Sequence, residues 1–131
     1  MRKDIHIPDV KDVYVAAVLE FNEDFKTHDW NIYLINDGSE AIETVLIVSQ
    51  GYDEVDMTAP MRKSIKIVPA KGYAKIEFFD ESVFELDNFF NITYFIDKKM
   101  YDKRFELPRH SIVADNAVDL PVLFTKGILA R

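Results

Sequence analysis

Histidine is the residue type of this chain best suited to binding a metal, and the chain has three, His6, His28 and His110. A protein zinc site needs such side chains close together, with Cys or carboxylate ligands beside them. None of the three falls in an H-x-H or H-E-x-x-H motif, and the chain contains no cysteine. We therefore interpret the histidines as surface or capping residues, and we predict no metal site and no bound cofactor.

The segment around His110 also contains the residue types of a hydrolytic triad, since Ser111 follows it directly and Asp115 comes shortly afterwards. A triad needs the histidine within hydrogen-bond reach of the serine. Adjacent residues of an extended chain point to opposite sides instead. The chain also lacks the G-x-S-x-G motif that presents a nucleophilic serine. We predict no catalytic residue here and no enzyme activity for this chain.

Acidic side chains cluster in three probable loops, and loops of unrelated sandwiches gather carboxylates in this way to bind calcium. The clustered residues are Asp53, Glu54 and Asp56, then Asp80 and Glu81, then Asp115 and Asp119. However, 23 acidic residues on a chain of this size must cluster somewhere, and no D-x-D-x-D-G loop is present. We therefore favour a solvated acidic surface over a calcium site.

The longest apparent loop carries the first candidate interaction surface. Its four candidate residues are Met57, Pro60, Met61 and Arg62. Methionine is flexible and recurs at binding surfaces, so two methionines that flank a proline indicate a contact site for a protein. The alternative is that both methionines fold back onto the edge of the core.

Alternating apolar residues dominate the chain and predict the β-strands that position these loops. The run that begins at Val13 places on one face Val13, Val15, Ala17, Leu19 and Phe21. In a later run Ala74, Ile76 and Phe78 face one way. About seven such runs occur at the spacing typical of sandwiches and barrels. We predict an all-β, immunoglobulin-like sandwich of about seven strands, with a small β-barrel as the alternative.

Two turn sequences predict β-hairpins between neighbouring runs. Residues 36–38 read N-D-G and separate two apolar runs. Residues 97–99 read D-K-K and separate the last two runs. Asn, Asp and Gly tolerate the positive φ angles of tight hairpin turns, so the first of these is a strong hairpin signal.

The alternation stops at Pro108, but the C-terminal tail, residues 109–131, remains apolar. Its apolar side chains complete the candidate interaction surface and are Leu120, Val122, Leu123, Phe124, Ile128 and Leu129. Each gains about 1.5–3 kcal/mol if it is fully buried. The tail therefore either covers an exposed strand edge of its own sandwich or crosses to a second copy in a symmetric dimer. We favour the first arrangement because it costs no association entropy.

Length and composition predict one domain, 1–131, since 131 residues with 48% apolar side chains support a single core. The first residues lack the apolar segment of a signal peptide, and no stretch is long and apolar enough to span a membrane. We therefore expect a cytoplasmic protein with no membrane partner. The net charge of −7 repels phosphate backbones, so we expect no nucleic-acid partner.

Two resemblances accompany these predictions. From Val10 to Pro108 the order of strands and turns resembles many bacterial immunoglobulin-like sandwiches, although the cysteine pair of antibody domains is absent. The strings KDVYVAAVLEFNEDF, DWNIYLIND, PAKGYAKIEF and KGILAR resemble, from end to end, a small uncharacterised bacterial family of short cytoplasmic proteins. Its members often carry the label "phenylalanyl-tRNA synthetase subunit".

That label implies a link to a synthetase, and the residues argue against aminoacylation by this chain. A synthetase active site needs a glycine-rich motif that approaches phosphate. The four glycines of this chain form no G-x-G pair and are Gly38, Gly51, Gly72 and Gly127. From this resemblance we therefore retain only the hypothesis that the chain is an accessory of such an enzyme.

The sequence thus leaves three functions open. The leading one is a non-catalytic domain that binds another protein or a second copy of itself. The second is a small-molecule-binding protein or enzyme with a pocket between two sheets, which requires a polar cavity of about 300 Å³ or more. The third is an accessory of a phenylalanyl-tRNA synthetase.

Overall fold

The structure, a computed structural model, describes residues 8–131, so His6 lies outside the described residues. Strands account for 59% of the structure and helix for 5%, which confirms the all-β prediction. Within residues 8–131 the strands are β1 (Val13–Asn22), β2 (Thr27–Asn36), β3 (Ile42–Tyr52), β4 (Met61–Val68), β5 (Gly72–Phe79), β6 (Asp87–Ile96), β7 (Lys99–Leu107), β8 (Val118–Asp119) and β9 (Lys126–Leu129). The helical residues form short 3-10 turns at Glu81–Val83 and Ala114–Asn116. No helix within the described range is long and apolar enough to cross a membrane.

The strands form two antiparallel sheets. One has the order β5-β2-β1-β9-β8, and the other has the order β4-β3-β6-β7. Neither sheet closes into a barrel, so the sandwich prediction is confirmed and the barrel alternative is wrong. The two strands beyond the predicted seven, β8 and β9, both come from the C-terminal tail.

The main core lies between the two sheets, where the inward faces of both meet. Its most deeply buried members include Val15, Ile32 and Leu34 from the five-stranded sheet. Ile47 and Phe90 face them from the four-stranded sheet. The alternating residues that predicted the strands therefore supply this core.

The predicted hairpin at residues 97–99 is confirmed. β6 and β7 pair along their whole length, from Asn88 opposite Leu107 to Ile96 opposite Lys99. Asp97 and Lys98, between these strands, both have positive φ angles, 48° and 66°. Two such residues form the tight turn whose twist matches that of the flanking strands.

The hairpin predicted at residues 36–38 is wrong. β2 pairs with β1 and β5, whereas β3 pairs with β4 and β6 in the other sheet. The N-D-G segment therefore crosses from one sheet to the other. The buried side chain of Asn36 holds the crossing, because it donates to the carbonyl oxygens of Glu40, Val68 and Pro69 at 2.9–3.2 Å.

The prediction that Phe78 shares a face with Ala74 and Ile76 is also wrong. The pairing of β5 with β2 shifts by one residue, because Tyr33 lies opposite Lys75 while the preceding Ile32 lies opposite Glu77. Such a β-bulge inserts one extra residue and reverses the alternation beyond it. Phe78 consequently faces outward and is 53% exposed.

Two residues of β1 also leave the predicted core face. Leu19 and Phe21 alternate correctly with Val15, yet they are 46% and 52% exposed. The β1–β2 hairpin extends beyond β5, whose last paired residue, Phe79, lies opposite Trp30. The end of this hairpin therefore has less of the sandwich against it.

The C-terminal strand β9 pairs with β1 of the same chain, with Ile128 opposite Ala17. At the end of the chain, the backbone groups of Arg131 and Glu106 form two hydrogen bonds, so the terminus reaches the other sheet as well. Buried Leu120 forms a second, smaller cluster with three residues of β1 and β2, Ala16, Val18 and Ile35. The tail thus covers part of the outer face of the five-stranded sheet.

Candidate functional site

The loop residues predicted to form an interaction surface divide between a loop and a strand. Met57 and Pro60 lie in the loop between β3 and β4, and both are exposed. Met61 and Arg62 belong to β4 rather than to the loop, because they pair with Ser49 and Val48 of β3. Met61 packs against the main core, which was the alternative for this residue, and Arg62 is exposed.

The acidic part of the same loop is held by hydrogen bonds and ion pairs within the chain. Asp53 accepts from the backbone N–H groups of Asp56 and Val55, and these bonds lower the pKa of its carboxyl group. Arg109 bridges Glu54 and Asp87, with N–O distances of 3.2 and 3.0 Å. Bonds to the backbone and then to the side chain of Arg109 also lower the pKa of Asp87.

The predicted tail residues are largely used within the chain. Leu120 and Ile128 are buried, and three others pack in part against the second cluster, namely Val122, Leu123 and Leu129. Phe124 differs from them because it is 96% exposed. Most of the apolar surface of the tail is therefore already covered. The loop adjoins the four-stranded sheet and the tail adjoins the five-stranded sheet, so the two predicted segments do not form one surface.

The candidate triad residues bond to other groups. His110 Nε2 lies 2.8 Å from Glu85 Oε1, and Ser111 Oγ donates to the carbonyl oxygen of Pro108 at 2.6 Å. Asp115 lies in the first turn of a short 3-10 helix and is exposed. Within residues 8–131 no group of three His, Asp or Glu side chains is arranged to hold a metal ion.

A cleft that the sequence did not predict lies at the end of the β1–β2 hairpin. It has a volume of about 530 Å³. Three phenylalanines line it, Phe21, Phe25 and Phe78, which are 52%, 76% and 53% exposed. Polar side chains of β1 and β2, among them Glu20 and Asn31, line it as well.

One carboxylate organises the polar wall of the cleft. Glu20 Oε1 accepts hydrogen bonds from Asn31 Nδ2 and from the Tyr33 hydroxyl, both at 2.8 Å. Burial raises the pKa of Tyr33 to about 12, and the bond to Glu20 acts in the same direction. Tyr33 therefore stays a hydrogen-bond donor at neutral pH. Asn31 is 6% exposed, and its buried Oδ1 has no donor within the described range.

The turn of the hairpin is fixed by side chains of the same two strands. Asn22 Oδ1 accepts from the backbone N–H groups of Asp24 and Phe25, which holds the turn that carries Phe25. Asn22 Nδ2 also donates to Asp29, which accepts a second bond from the Thr27 hydroxyl. These bonds give the exposed turn a defined shape.

The electrostatic character of the cleft is acidic. Its lining includes the carboxylates of Glu20, Glu23 and Asp29 and one ammonium group, that of Lys75. No serine, histidine or cysteine belongs to this lining. The site can therefore accept hydrogen bonds and stack against apolar or planar groups, but it offers no obvious nucleophile.

The sequence carries a signal for part of this site. Phe21 and Phe25 flank the polar residues 22–24, and a phenylalanine in so polar a turn is hard to bury. Phe78 had no comparable signal, because its outward position depends on the bulge in β5. The three residues come to line one cleft only once the strands are paired.

A second opening lies between the two sheets, near the start of β1. It has a volume of about 370 Å³ and is lined by Asp12, Glu40, Tyr94 and Tyr101, among others. The rings of Tyr94 and Tyr101 stack with a centroid distance of 5.2 Å. Among residues 8–131 the buried hydroxyl of Tyr94 has no hydrogen-bond partner, and burial raises its pKa to about 12.

A polar pair joins the two sheets, since buried Ser49 of β3 contacts half-buried Glu77 of β5. The Ser49 hydroxyl donates to Glu77 Oε2 at 2.6 Å. Burial raises the pKa of Glu77, and this bond opposes the rise. The bulge in β5 turns Glu77 toward the interior, which explains why a carboxylate lies there.

Comparison with known proteins adds no relative, since no family model, curated protein or solved structure matches this chain. The two resemblances described from the sequence therefore rest on its strings and on the order of its strands. A function can therefore be inferred only from the fold and the clefts of the chain itself.

Proposed function

We propose that this protein is a non-catalytic interaction domain that binds a partner protein at the cleft of Phe21, Phe25 and Phe78. The exposure of these three rings around one cleft is the observation that carries the proposal. Aromatic side chains are enriched at the centres of protein interfaces, where they supply much of the binding energy. Single exposed apolar residues are common, but a group that lines one cleft marks a contact site.

The organisation of the hairpin supports this proposal. Asn22 holds the turn, and Glu20 is bonded to Asn31 and Tyr33, so the rings are presented on a pre-organised frame. A pre-organised surface binds more tightly because less conformational freedom is lost on binding.

A quantitative pulldown from the source cells tests the proposal. The bait is the full chain, compared with the variants Phe25→Ser and Phe78→Ser. Phe124→Ser is the matched control, because Phe124 is 96% exposed and lies in the tail. We expect a specific partner to be retained by the control and lost from both cleft variants. Loss of that partner from the Phe124→Ser variant alone would contradict the proposal.

A second candidate function has its own observation. The opening between the sheets has a volume of about 370 Å³, within the range of small-molecule sites, and the Tyr94 hydroxyl beside it has no partner in the described part of the chain. Native mass spectrometry of protein purified from the source cells tests this function. A bound small molecule that is absent from the Tyr94→Phe variant supports it, and protein that carries no added mass contradicts it.

We also propose that the topology of the sandwich is immunoglobulin-like. β1, β2 and β5 are neighbours in one sheet, and β7, β6, β3 and β4 are neighbours in the other. This order parallels strands A, B, E and G, F, C, C′ of immunoglobulin-like sandwiches, which supports the assignment. The β9-β8 extension beside β1 is a departure from it. We also retain the cytoplasmic location expected from the sequence.

Self-association and the synthetase link are the remaining alternatives. Two copies that met cleft to cleft would bring like charges together, since each cleft carries three carboxylates and one ammonium group. A different protein is therefore favoured, as the partner at this surface, over a second copy of the chain. Copurification with a phenylalanyl-tRNA synthetase is the observation that would support the accessory role.

A further inference from the structure

We infer that the partner segment presents an arginine side chain, whose guanidinium enters the cleft beside Phe25 and Phe78 and donates hydrogen bonds to Glu20. This inference rests on the proposed function, because it names the chemistry that the same cleft recognises. Three independent features of the cleft lead to it: its charge, its unused hydrogen-bond acceptors and its aromatic walls.

The charge of the cleft favours a cationic group. Glu20, Glu23 and Asp29 line it, and Lys75 supplies one opposing charge, so the lining carries an excess of negative charge. The whole chain has a net charge of −7, which adds to the attraction of a basic segment. An acidic segment would meet repulsion from both sources.

The hydrogen-bond inventory favours a donor. Both bonds to Glu20 go to Oε1, and no hydrogen bond reaches Oε2 from the residues between 8 and 131. Glu20 Oε2 is therefore available to a ligand that brings N–H groups. Asn31 Oδ1 also has no donor among residues 8–131, although it lies below the surface of the cleft.

The aromatic walls distinguish arginine from lysine. A guanidinium is planar, carries five N–H donors and stacks on aromatic faces, whereas an ammonium is a compact and strongly hydrated charge. Phe25 and Phe78 line the same cleft as the Glu20 carboxylate and are 76% and 53% exposed, whereas the ring of Phe21 packs on His28 at a centroid distance of 5.2 Å. The combination of stacking surface and carboxylate fits the guanidinium better than the ammonium.

A nuclear magnetic resonance titration of the full chain tests the inference. The probe is an acetylated and amidated peptide with the sequence GSRGSRGS, and its matched controls carry lysine or citrulline in place of both arginines. Citrulline keeps the planar shape but lacks the charge. We expect amide shifts confined to residues 19–31 and 73–79, with affinity falling about tenfold from arginine to lysine and further to citrulline.

Two cleft variants and two controls complete the test. Phe25→Ser removes a 76% exposed ring and leaves the core intact, and Glu20→Gln removes the central charge. Each should weaken arginine binding about tenfold or more. Phe124→Ser and Asp115→Asn are the controls, because they remove a still more exposed ring and an exposed charge elsewhere. Equal weakening by Asp115→Asn would show that general charge attraction holds the peptide, which contradicts the inference.

The inference and the proposed function fail in different ways. If a partner is lost from the Phe25→Ser and Phe78→Ser variants but the arginine peptide causes no shift in the cleft, the cleft binds another chemistry and the inference is wrong. If no partner depends on these rings, the proposed function itself is wrong. Lysine and arginine peptides of equal affinity would also overturn the choice of arginine.

Discussion

Gly127 of β9 lies so close to Ala17 of β1 that a Cβ at position 127 would be 2.6 Å from the Ala17 carbonyl oxygen. The same Cβ would be 2.7 Å from Leu120 Cδ1. A glycine therefore lets the tail strand approach β1 and lets Leu120 cover the second cluster. This contact limits how large a side chain position 127 can hold while β9 stays paired with β1.

Substitution of this glycine should loosen the tail. We expect Gly127→Ala to lower the free energy of unfolding by about 1–3 kcal/mol, because a backbone oxygen cannot move aside for the new methyl group without strain. Urea denaturation measures the change. Phe124→Ala is the control, since an exposed side chain should change stability by no more than about 0.5 kcal/mol. Equal midpoints for the glycine variant and the wild type would show that the tail packs differently.

Deletion of residues 119–131 tests where the tail belongs. The deletion uncovers Ala16, Val18 and Ile35 on the outer face of the five-stranded sheet and leaves the edge of β1 unpaired. We therefore expect a less stable monomer that aggregates, measured by thermal unfolding and light scattering. If the full chain is a dimer, and the truncated chain is a monomer with the same stability, the tails are instead exchanged between two copies.

Asn36 should be among the most sensitive polar residues. It is 1% exposed, donates to three carbonyl oxygens and accepts from the N–H of Gly38. Asn36→Ala removes all of these bonds and leaves the buried carbonyl oxygen of Val68 without this donor, so we expect a loss of about 1–3 kcal/mol in urea denaturation. Asn116→Ala removes one exposed bond and should cost less than about 1 kcal/mol. Similar losses for both variants would mean that the sheet crossing does not depend on Asn36.

Glu77 should make stability depend on pH. Burial raises its pKa above the ordinary 4.5, so the folded chain holds this proton more tightly than the unfolded chain does. The stabilisation from this tighter proton binding is therefore fully present below the ordinary pKa of a glutamate. It is lost as the pH rises through the pKa of Glu77 in the folded chain. We expect Glu77→Gln to be more stable than the wild type at pH 7.

The advantage of Glu77→Gln should shrink as the pH falls toward 4, because the wild-type carboxyl group then becomes neutral as well. Unfolding measured at several pH values gives this trend. The same substitution at the exposed Glu81 is the control for a change in net charge. An advantage that is constant with pH, or equal in both variants, would exclude burial of the Glu77 carboxylate as its cause.

The sequence predicted those parts of the fold that depend on local patterns. The alternation from Val13 to Ala17 and the turn at residues 97–99 were sufficient to place a core strand and a hairpin. The N-D-G segment was misread because Asn36 has a turn-forming side chain that in fact bonds to Val68, 32 positions away in the sequence. Such a long-range partner leaves no local signature.

The cleft depended on two features that no short pattern reveals. The bulge in β5 turns Phe78 outward, and the length of the β1–β2 hairpin carries Phe21 past the last paired residue of β5. Both follow from the pairing of strands that are distant in sequence. The sequence therefore predicted interaction residues in the loop and the tail, of which Met61 and Ile128 pack in the main core and Leu120 packs in the second cluster.

The most direct test of the central proposal is photo-crosslinking in the source cells with a benzophenone amino acid at position 25, in the cleft, or at position 124, in the tail. Both positions are highly exposed phenylalanines, 76% and 96%, so the replacement disturbs neither core. We expect a discrete protein adduct from position 25 that is absent from position 124. An adduct from position 124 with none from position 25 would contradict the assignment of the cleft as the binding site.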